Sequence, residues 1–166
     1  MSRVANFCPN CGTALELKDR HGRLRPVCPA CGFIFYHDPK VAVVAVVIKD
    51  DKVLLVKRAF DPGKGKWACP AGFVDYDEPP SFAVVRETYE ETGLRVQSDH
   101  VLQVFPKKDH GLANIVIAYR CSVLGGTLQA GDDAEQAQWF TRDQLPELVF
   151  YPSITLIGIR WRNGKL

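Results

Sequence analysis

The chain has 166 residues, 46% of them hydrophobic and 24% charged, with a formal net charge of +2. That length holds one packed domain with room for a small appendage, and the near-zero charge gives no global reason to expect nucleic-acid or membrane binding. The longest apolar run, residues 41–48, is too short to cross a bilayer, and the first eight residues show no secretory h-region, so the expected location is the cytoplasm.

Four of the six cysteines open the chain as Cys8-Pro-Asn-Cys11-Gly and Cys28-Pro-Ala-Cys31-Gly. Strand-like runs at 14–18 and 24–27 flank a turn at Asp19-Arg20-His21-Gly22. Two Cys-x2-Cys-Gly knuckles sixteen residues apart match a four-cysteine Zn²⁺ ribbon, with disulfides as the alternative in an oxidising setting. Four thiolates leave no open coordination position, so the expected role is structural, in a head too small to fold without a staple. Residues 1–40 carry six Lys/Arg against three Asp/Glu, and the rest fifteen against sixteen. This mildly basic head is read as a solvated face, with RNA or DNA binding as the sharper alternative. His37-Asp38-Pro39 reads as a break, giving a ribbon at 1–37 and a second domain at 38–166.

The second domain opens with a β-branched strand at 41–48, a turn at Asp50-Asp51 and a strand at 52–58, read as a hairpin. Asp61-Pro62-Gly63-Lys64-Gly65 is a loop, 67–69 a short strand and Pro70-Ala71-Gly72 a turn. A helix is expected over 80–92, started by Pro79-Pro80, stopped by Gly93, and facing a core with Phe82, Val85 and Tyr89. Strands follow at 95–105 and 114–124 around a turn at Asp109-His110-Gly111. Trp139-Phe140 is a short apolar piece, Thr141 to Gln144 a brief turn, and 153–161 a closing helix. Cys69 and Cys121 sit inside strand-like runs as buried hydrophobes. Without regular βαβ alternation the class is α+β or a mixed-sheet sandwich.

On the helix, Glu87, Glu90 and Glu91 stand at i, i+3 and i+4, so three carboxylates share one face near its C-terminus. Like charges repel there, and the helix dipole disfavours anions at that end. A divalent cation removes the conflict, and carboxylate oxygens with few other ligands suit Mg²⁺. Arg86, beside Glu87, is placed to hold a carboxylate through a charge-assisted hydrogen bond.

The stretch from Gly72 to Leu94 resembles the Nudix hydrolase signature Gly-x5-Glu-x7-Arg-Glu-u-x-Glu-Glu-x-Gly-u, where u is a bulky aliphatic residue. Its seven fixed positions are Gly72, Glu78, Arg86, Glu87, Glu90, Glu91 and Gly93. Leu94 fits the last u, Thr88 departs from the first, and Asp75 stands where many relatives carry Glu. The resemblance implies an α/β/α sandwich with a mixed sheet behind the zinc-ribbon β domain. It also implies Mg²⁺ or Mn²⁺ at Glu87, Glu90 and Glu91, assisted by backbone carbonyl oxygen around Gly72. Arg86 would orient Glu87, and Glu78 would hold the loop–helix junction. Relatives differ in which carboxylate takes the proton, one in the helix (here Glu87 or Glu91) or one on a later loop; the later-loop candidates are Asp132, Asp133 and Glu135, with Glu135 ranked first.

A zinc ribbon joined to such a domain is similar to two groups. The NADH pyrophosphatases carry Ser-Gln-Pro-Trp-Pro-Phe-Pro-x-Ser after the box, which Ser98 to Pro106 here lacks. The plant FAD and ADP-ribose pyrophosphatases are nearer in the ribbon, in Asp38-Pro39-Lys40 and in Arg86-Glu87-Thr88. The implied reaction is hydrolysis of a nucleoside diphosphate linked to another group, such as ADP-ribose or FAD, with release of AMP. Arg58 and Lys66 are candidates to meet phosphate, and Trp67 and Phe105 to stack on a base. The alternatives are NADH, nucleoside triphosphate or RNA-cap hydrolysis, and a non-catalytic nucleotide-sensing or nucleic-acid-binding module. Many relatives dimerise, so a homodimer is the expected assembly.

Overall fold

The computed structural model describes residues 5–106 and 115–166, in two compact units, Met1–Asp38 and Pro39–Leu166. In the first, β1 (Glu16–Asp19) and β2 (Leu24–Val27) pair antiparallel, with Asp19 opposite Leu24. His21 and Gly22 turn the chain at φ 58° and 74°, the left-handed region that Gly and short polar turns use. Each knuckle repeats one geometry. The Cys8 and Cys28 N–H groups donate to the Thr13 and Phe33 carbonyls, while Gly12 and Gly32 donate back to the Cys8 and Cys28 carbonyls.

The second unit is built on β3 (Val41–Lys49). It runs antiparallel to β6 (Ala71–Phe73) on one side and parallel to β8 (Ile115–Gly126) on the other, with β7 (Leu94–Pro106) outside β8. Only Ile48 and Lys49 pair with β4 (Lys52–Arg58), across a turn whose Asp50 and Asp51 both have positive φ. β4 then leaves β3 and pairs with β9 (Ala134–Phe140) and β5 (Trp67–Ala68). The expected hairpin therefore exists only at its tip. The mixed pairing puts β3 in the middle of the second unit, and its side chains alternate between two cores. Val43, Ala45 and Val47 meet Ala83 and Val84 of α1 (Pro80–Thr92). Val44 and Val46 meet Leu156, Ile157 and Trp161 of the C-terminal helix, α2 (Tyr151–Ser153), which runs into a π-helical segment, Ile154–Trp161. One helix on each face of a mixed sheet is the α/β/α sandwich, of α+β class. Among the described residues no helix is long and apolar enough to cross a membrane.

Several expectations change. Pro70-Ala71-Gly72 is no turn, because Ala71 and Gly72 pair with Val44 and Val43 in β6. Trp139-Phe140 is the end of a seven-residue strand held by β4. Phe82 and Tyr89 of α1 are exposed, and Ala83, Val84, Thr88, Glu91 and Thr92 are the buried set. The helix lies close on β3, so small side chains occupy the contact and large rings are left outside. Cys69 and Cys121 are buried, and Thr141 to Gln144 form the expected turn. The Asp109-His110-Gly111 turn and Asn114 lie outside the described residues.

Candidate functional site

α1 begins where Pro79 and Pro80 fix φ and ends at Gly93, whose φ of 69° lets its N–H donate to the Tyr89 carbonyl. Thr88, at the position where an aliphatic residue was expected, is fully buried and donates its hydroxyl to the Val84 carbonyl at 2.6 Å. These ends and this face place the three glutamates beside β6. Glu91 is 3% exposed and accepts the Ala71 N–H at 3.0 Å. The Glu87 carboxylate lies flat on Gly72, where a Cβ would stand 1.9 Å from its carboxyl carbon. Gly72 is therefore required by close approach. Glu90, nearer the surface, takes Arg86 Nη1 at 2.9 Å.

Arg86 ties these parts together. It donates to Glu78 at 2.6 Å, to Glu87 at 2.9 Å and to the Phe73 carbonyl at 3.0 Å. Glu78 also accepts the Asp75 N–H, so the guanidinium joins the loop before α1 to the helix itself. Hydrogen bonds from Arg86 hold the Glu78 carboxyl below its usual range. Burial pushes Glu87 and Glu91 the other way, Glu91 strongly, and neighbouring carboxylates add to both rises.

Those neighbours identify a second acidic element. The Asp132 charge raises Glu87, and the Asp133 carboxyl raises Glu91. Both aspartates follow β8 on a loop that crosses the end of α1, where the Gln129 and Gly131 N–H groups donate to the Thr92 and Glu91 carbonyls. Glu135, ranked first from the sequence, instead pairs with Lys57 at 3.3 Å and is half exposed. The strand β9 explains the difference: once Ala134 enters the ladder, Glu135 belongs to a sheet surface and the loop ends at Asp133. A run of acids after a glycine is the only signal in the sequence, and it does not rank them.

The four residues named for substrate contact fare differently. Phe105 is 1% exposed inside the C-terminal-helix core, so it does not present a ring to a base. Trp67 packs edge-on against Phe140 with ring centroids 4.8 Å apart and lies against the same core. Phe105 is thus a core residue, whereas Trp67 is partly buried at the edge of that core. Arg58 and Lys66 bracket the loop between β4 and β5, with the Arg58 N–H donating to the Lys66 carbonyl. Arg58 Nε donates to the Pro62 carbonyl, its guanidinium sits 5.0 Å from the Phe150 ring centroid, and Lys66 pairs with Glu147. The Ala59 N–H donates to the Asp133 carbonyl, so this loop adjoins the acidic one.

In the first unit, the sulfurs of Cys8, Cys11, Cys28 and Cys31 lie within 4.8 Å of one another, with Cys8–Cys31, Cys11–Cys28 and Cys11–Cys31 at 3.5–3.6 Å. A disulfide would be about 2.0 Å, whereas the edge of a tetrahedron with Zn–S bonds of about 2.3 Å is roughly 3.8 Å. The spacing suits four thiolates around one metal ion.

Residues 38–155 match the family model of the NUDIX domain, and residues 6–37 match that described as Nudix N-terminal. The chain is 43% identical over 132 residues to an ADP-ribose pyrophosphatase of Methanocaldococcus jannaschii, covering 78% of each protein. It is 34% identical over 156 residues to the NAD-capped RNA hydrolase NudC of Pseudomonas aeruginosa, covering 92% of this chain and 54% of that one. The chain thus spans about half the length of that relative. Among solved structures, a NUDIX hydrolase from Nitrosomonas europaea superposes with a TM-score of 0.86 at 29% identity, covering 97% of this chain and 92% of the other. An ADP-ribose pyrophosphatase from Streptococcus suis gives 0.63 at 28% identity, covering 75% and 90%.

Proposed function

The chain belongs to the Nudix hydrolase family, and on that premise we propose that it is a Mg²⁺- or Mn²⁺-dependent pyrophosphohydrolase that splits the diphosphate of ADP-ribose or a related nucleotide cofactor, such as FAD, and releases AMP. The observation that carries this reading is the Arg86-centred carboxylate site, with Glu87 on Gly72 and Glu91 buried under the Ala71 N–H. Buried carboxylates massed at a helix C-terminus oppose folding unless a cation joins them, and an all-oxygen donor set suits a hard divalent ion. Glu87, Glu90 and Glu91, with the backbone carbonyl at Gly72, would hold that ion. Bound there, it supplies charge neutralisation for the diphosphate and lowers the pKa of the attacking water.

The chain's own residues do the rest. Arg86 fixes the rotamers of Glu78, Glu87 and Glu90, so the donor set is organised before substrate arrives. Asp132 and Asp133 are assigned the later-loop role in place of Glu135, because they are the acids that interact with Glu87 and Glu91. Arg58 and Lys66, flanking the adjoining loop, remain the residues proposed to meet phosphate. Residues 1–37 are proposed as a ribbon closed by structural Zn²⁺ on Cys8, Cys11, Cys28 and Cys31, and 38–166 as the hydrolase domain. Four cysteines set as zinc thiolates, with Cys69 and Cys121 unpaired by disulfide, suit a reducing cytoplasm as the proposed location.

Likeness to an ADP-ribose pyrophosphatase over most of both chains supports proposing ADP-ribose first among the candidate substrates. A second reading, hydrolysis of NADH or an NAD-capped RNA end, draws on the likeness to NudC across both units. The test is a Mg²⁺-dependent assay of the full chain against ADP-ribose, FAD, NADH, a short NAD-capped RNA and dGTP. AMP from ADP-ribose or FAD at the highest kcat/KM is the expected result. Preference for the capped RNA or NADH would transfer the assignment to the second reading, and no product from any substrate would sink both.

A further inference from the structure

We propose that residues 126–133 form a backbone strap that sets Asp132 and Asp133 against the carboxylates of α1, with Gly131 as its positioning residue. The inference rests on the hydrolase reading of that site, and no position of the signature motif lies in the strap.

The last carbonyls of any helix lack partners within it. Here Thr92 and Glu91 find theirs in the strap, from the Gln129 N–H at 2.9 Å and the Gly131 N–H at 3.2 Å. The far end is anchored too, by the Ala134 N–H on the Gly131 carbonyl and by the Ala59 N–H on the Asp133 carbonyl. Asp132, between these anchors, has φ of 50°, the left-handed turn conformation that Asp tolerates better than most residues. The strap is thus clamped on both sides of the two aspartates.

Three glycines let the strap lie this close. A Cβ at Gly126 would stand 2.4 Å from the Gly93 carbonyl oxygen, one at Gly93 2.6 Å from that of Thr127, and one at Gly131 2.5 Å from that of Glu90. Gly93 and Gly126 also need positive φ, at 69° and 98°. Gly131 does not, so close approach alone demands glycine there. Ordinary contact begins at 3.4 Å, and backbone faces backbone, so a methyl group must lift the strap from the helix by about 1 Å. Glu87 and Glu91 have separate anchors in Arg86 and Ala71, so only the aspartates move. Misplacement on the scale of 1 Å costs up to about 100-fold in rate.

The experiment compares wild type, Gly131→Ala and the control Gly125→Ala, whose Cβ would meet only the flexible end of Arg95 at 3.1 Å. Each is made alone and in an Asp132→Asn/Asp133→Asn background, and two readouts are taken. One is kcat and KM on ADP-ribose; the other is Mn²⁺ affinity measured by electron paramagnetic resonance without substrate. The expected result is that Gly131→Ala lowers kcat by roughly 10–100-fold, raises the Mn²⁺ Kd and leaves KM nearly unchanged. In the double-Asn background it changes neither readout further, because groups acting as a unit are non-additive. Gly125→Ala should match wild type. Wild-type Mn²⁺ affinity in Gly131→Ala, or an equal loss in both backgrounds, overturns the strap. If Gly131→Ala does not melt cooperatively, Gln129→Pro, which deletes the N–H given to Thr92, takes its place under the same criteria. A wild-type enzyme inactive on every substrate sinks the hydrolase reading, and Mn²⁺ affinity then decides the strap by itself.

Discussion

Glu91 is a carboxylate in a place where folding alone would put a neutral group. Burial raises its pKa well above the ordinary value, and Asp133 and Glu87 add to the rise, so ionised Glu91 lowers the stability of the metal-free protein. Glu91→Gln keeps an acceptor for the Ala71 N–H while removing the charge. At neutral pH without metal this variant should melt at or above the wild-type temperature and lose at least about 100-fold in turnover, as removal of a transition-state charge partner does. Glu87→Gln should lose as much. Near-normal turnover in both would refute the metal assignment. Glu78 has the opposite sign. Arg86 depresses its folded pKa below the unfolded value of about 4.3, so its stabilisation is complete above that pH and disappears as pH falls through the folded pKa. Melting curves of wild type and Glu78→Gln should differ at pH 6, with the gap narrowing as pH falls below the unfolded value of about 4.3; a constant gap would count against this ion pair.

At the scale of the element, α1 shows how a motif helix divides its faces. Its ends obey local steric rules at Pro80 and Gly93, and its inward face is Ala83, Val84, Thr88 and Thr92, small enough to lie against β3. Thr88 stands where a bulky aliphatic residue was expected, and its hydroxyl bonds back to Val84 within the helix. Such back-bonding adds little stability, so Thr88→Val should change stability by no more than about 1 kcal/mol and leave kcat intact. A loss of turnover in that variant would show that the hydroxyl does more than pack. Phe82 and Tyr89 follow helical spacing yet are exposed, which periodicity alone did not reveal. Which stripe of a helix is buried depends on what it meets, and β3 offers a surface of Val and Ala that leaves no depth for a ring.

On the scale of the whole molecule, the two units are stabilised by different means. The second has a continuous apolar core on both faces of β3, whereas the first buries Cys8, Val27 and Cys28 and leaves Phe7, Leu17 and Leu24 exposed. If the four cysteines hold zinc as proposed, a unit with so little core depends on that ion. Chelation with zinc loss confirmed should therefore unfold the head, visible as a separate low-temperature transition, and leave most of the second unit's melting intact. An unchanged melting curve would argue against a structural zinc. What the sequence determined by itself is what short-range chemistry dictates. The spacing of four cysteines marks the metal knuckle, Pro and Gly bound α1, and the i, i+3, i+4 rule gathers Glu87, Glu90 and Glu91. What only the tertiary structure decided depends on contacts between distant segments. β4 abandons β3 for β9, Ala71 and Gly72 become strand under Glu87, Phe105 turns inward, and Glu135 pairs with Lys57 on the sheet surface. Each of these is settled by burial against a partner far along the chain, and no local pattern carries the free energy of a contact that forms only when the sheet closes.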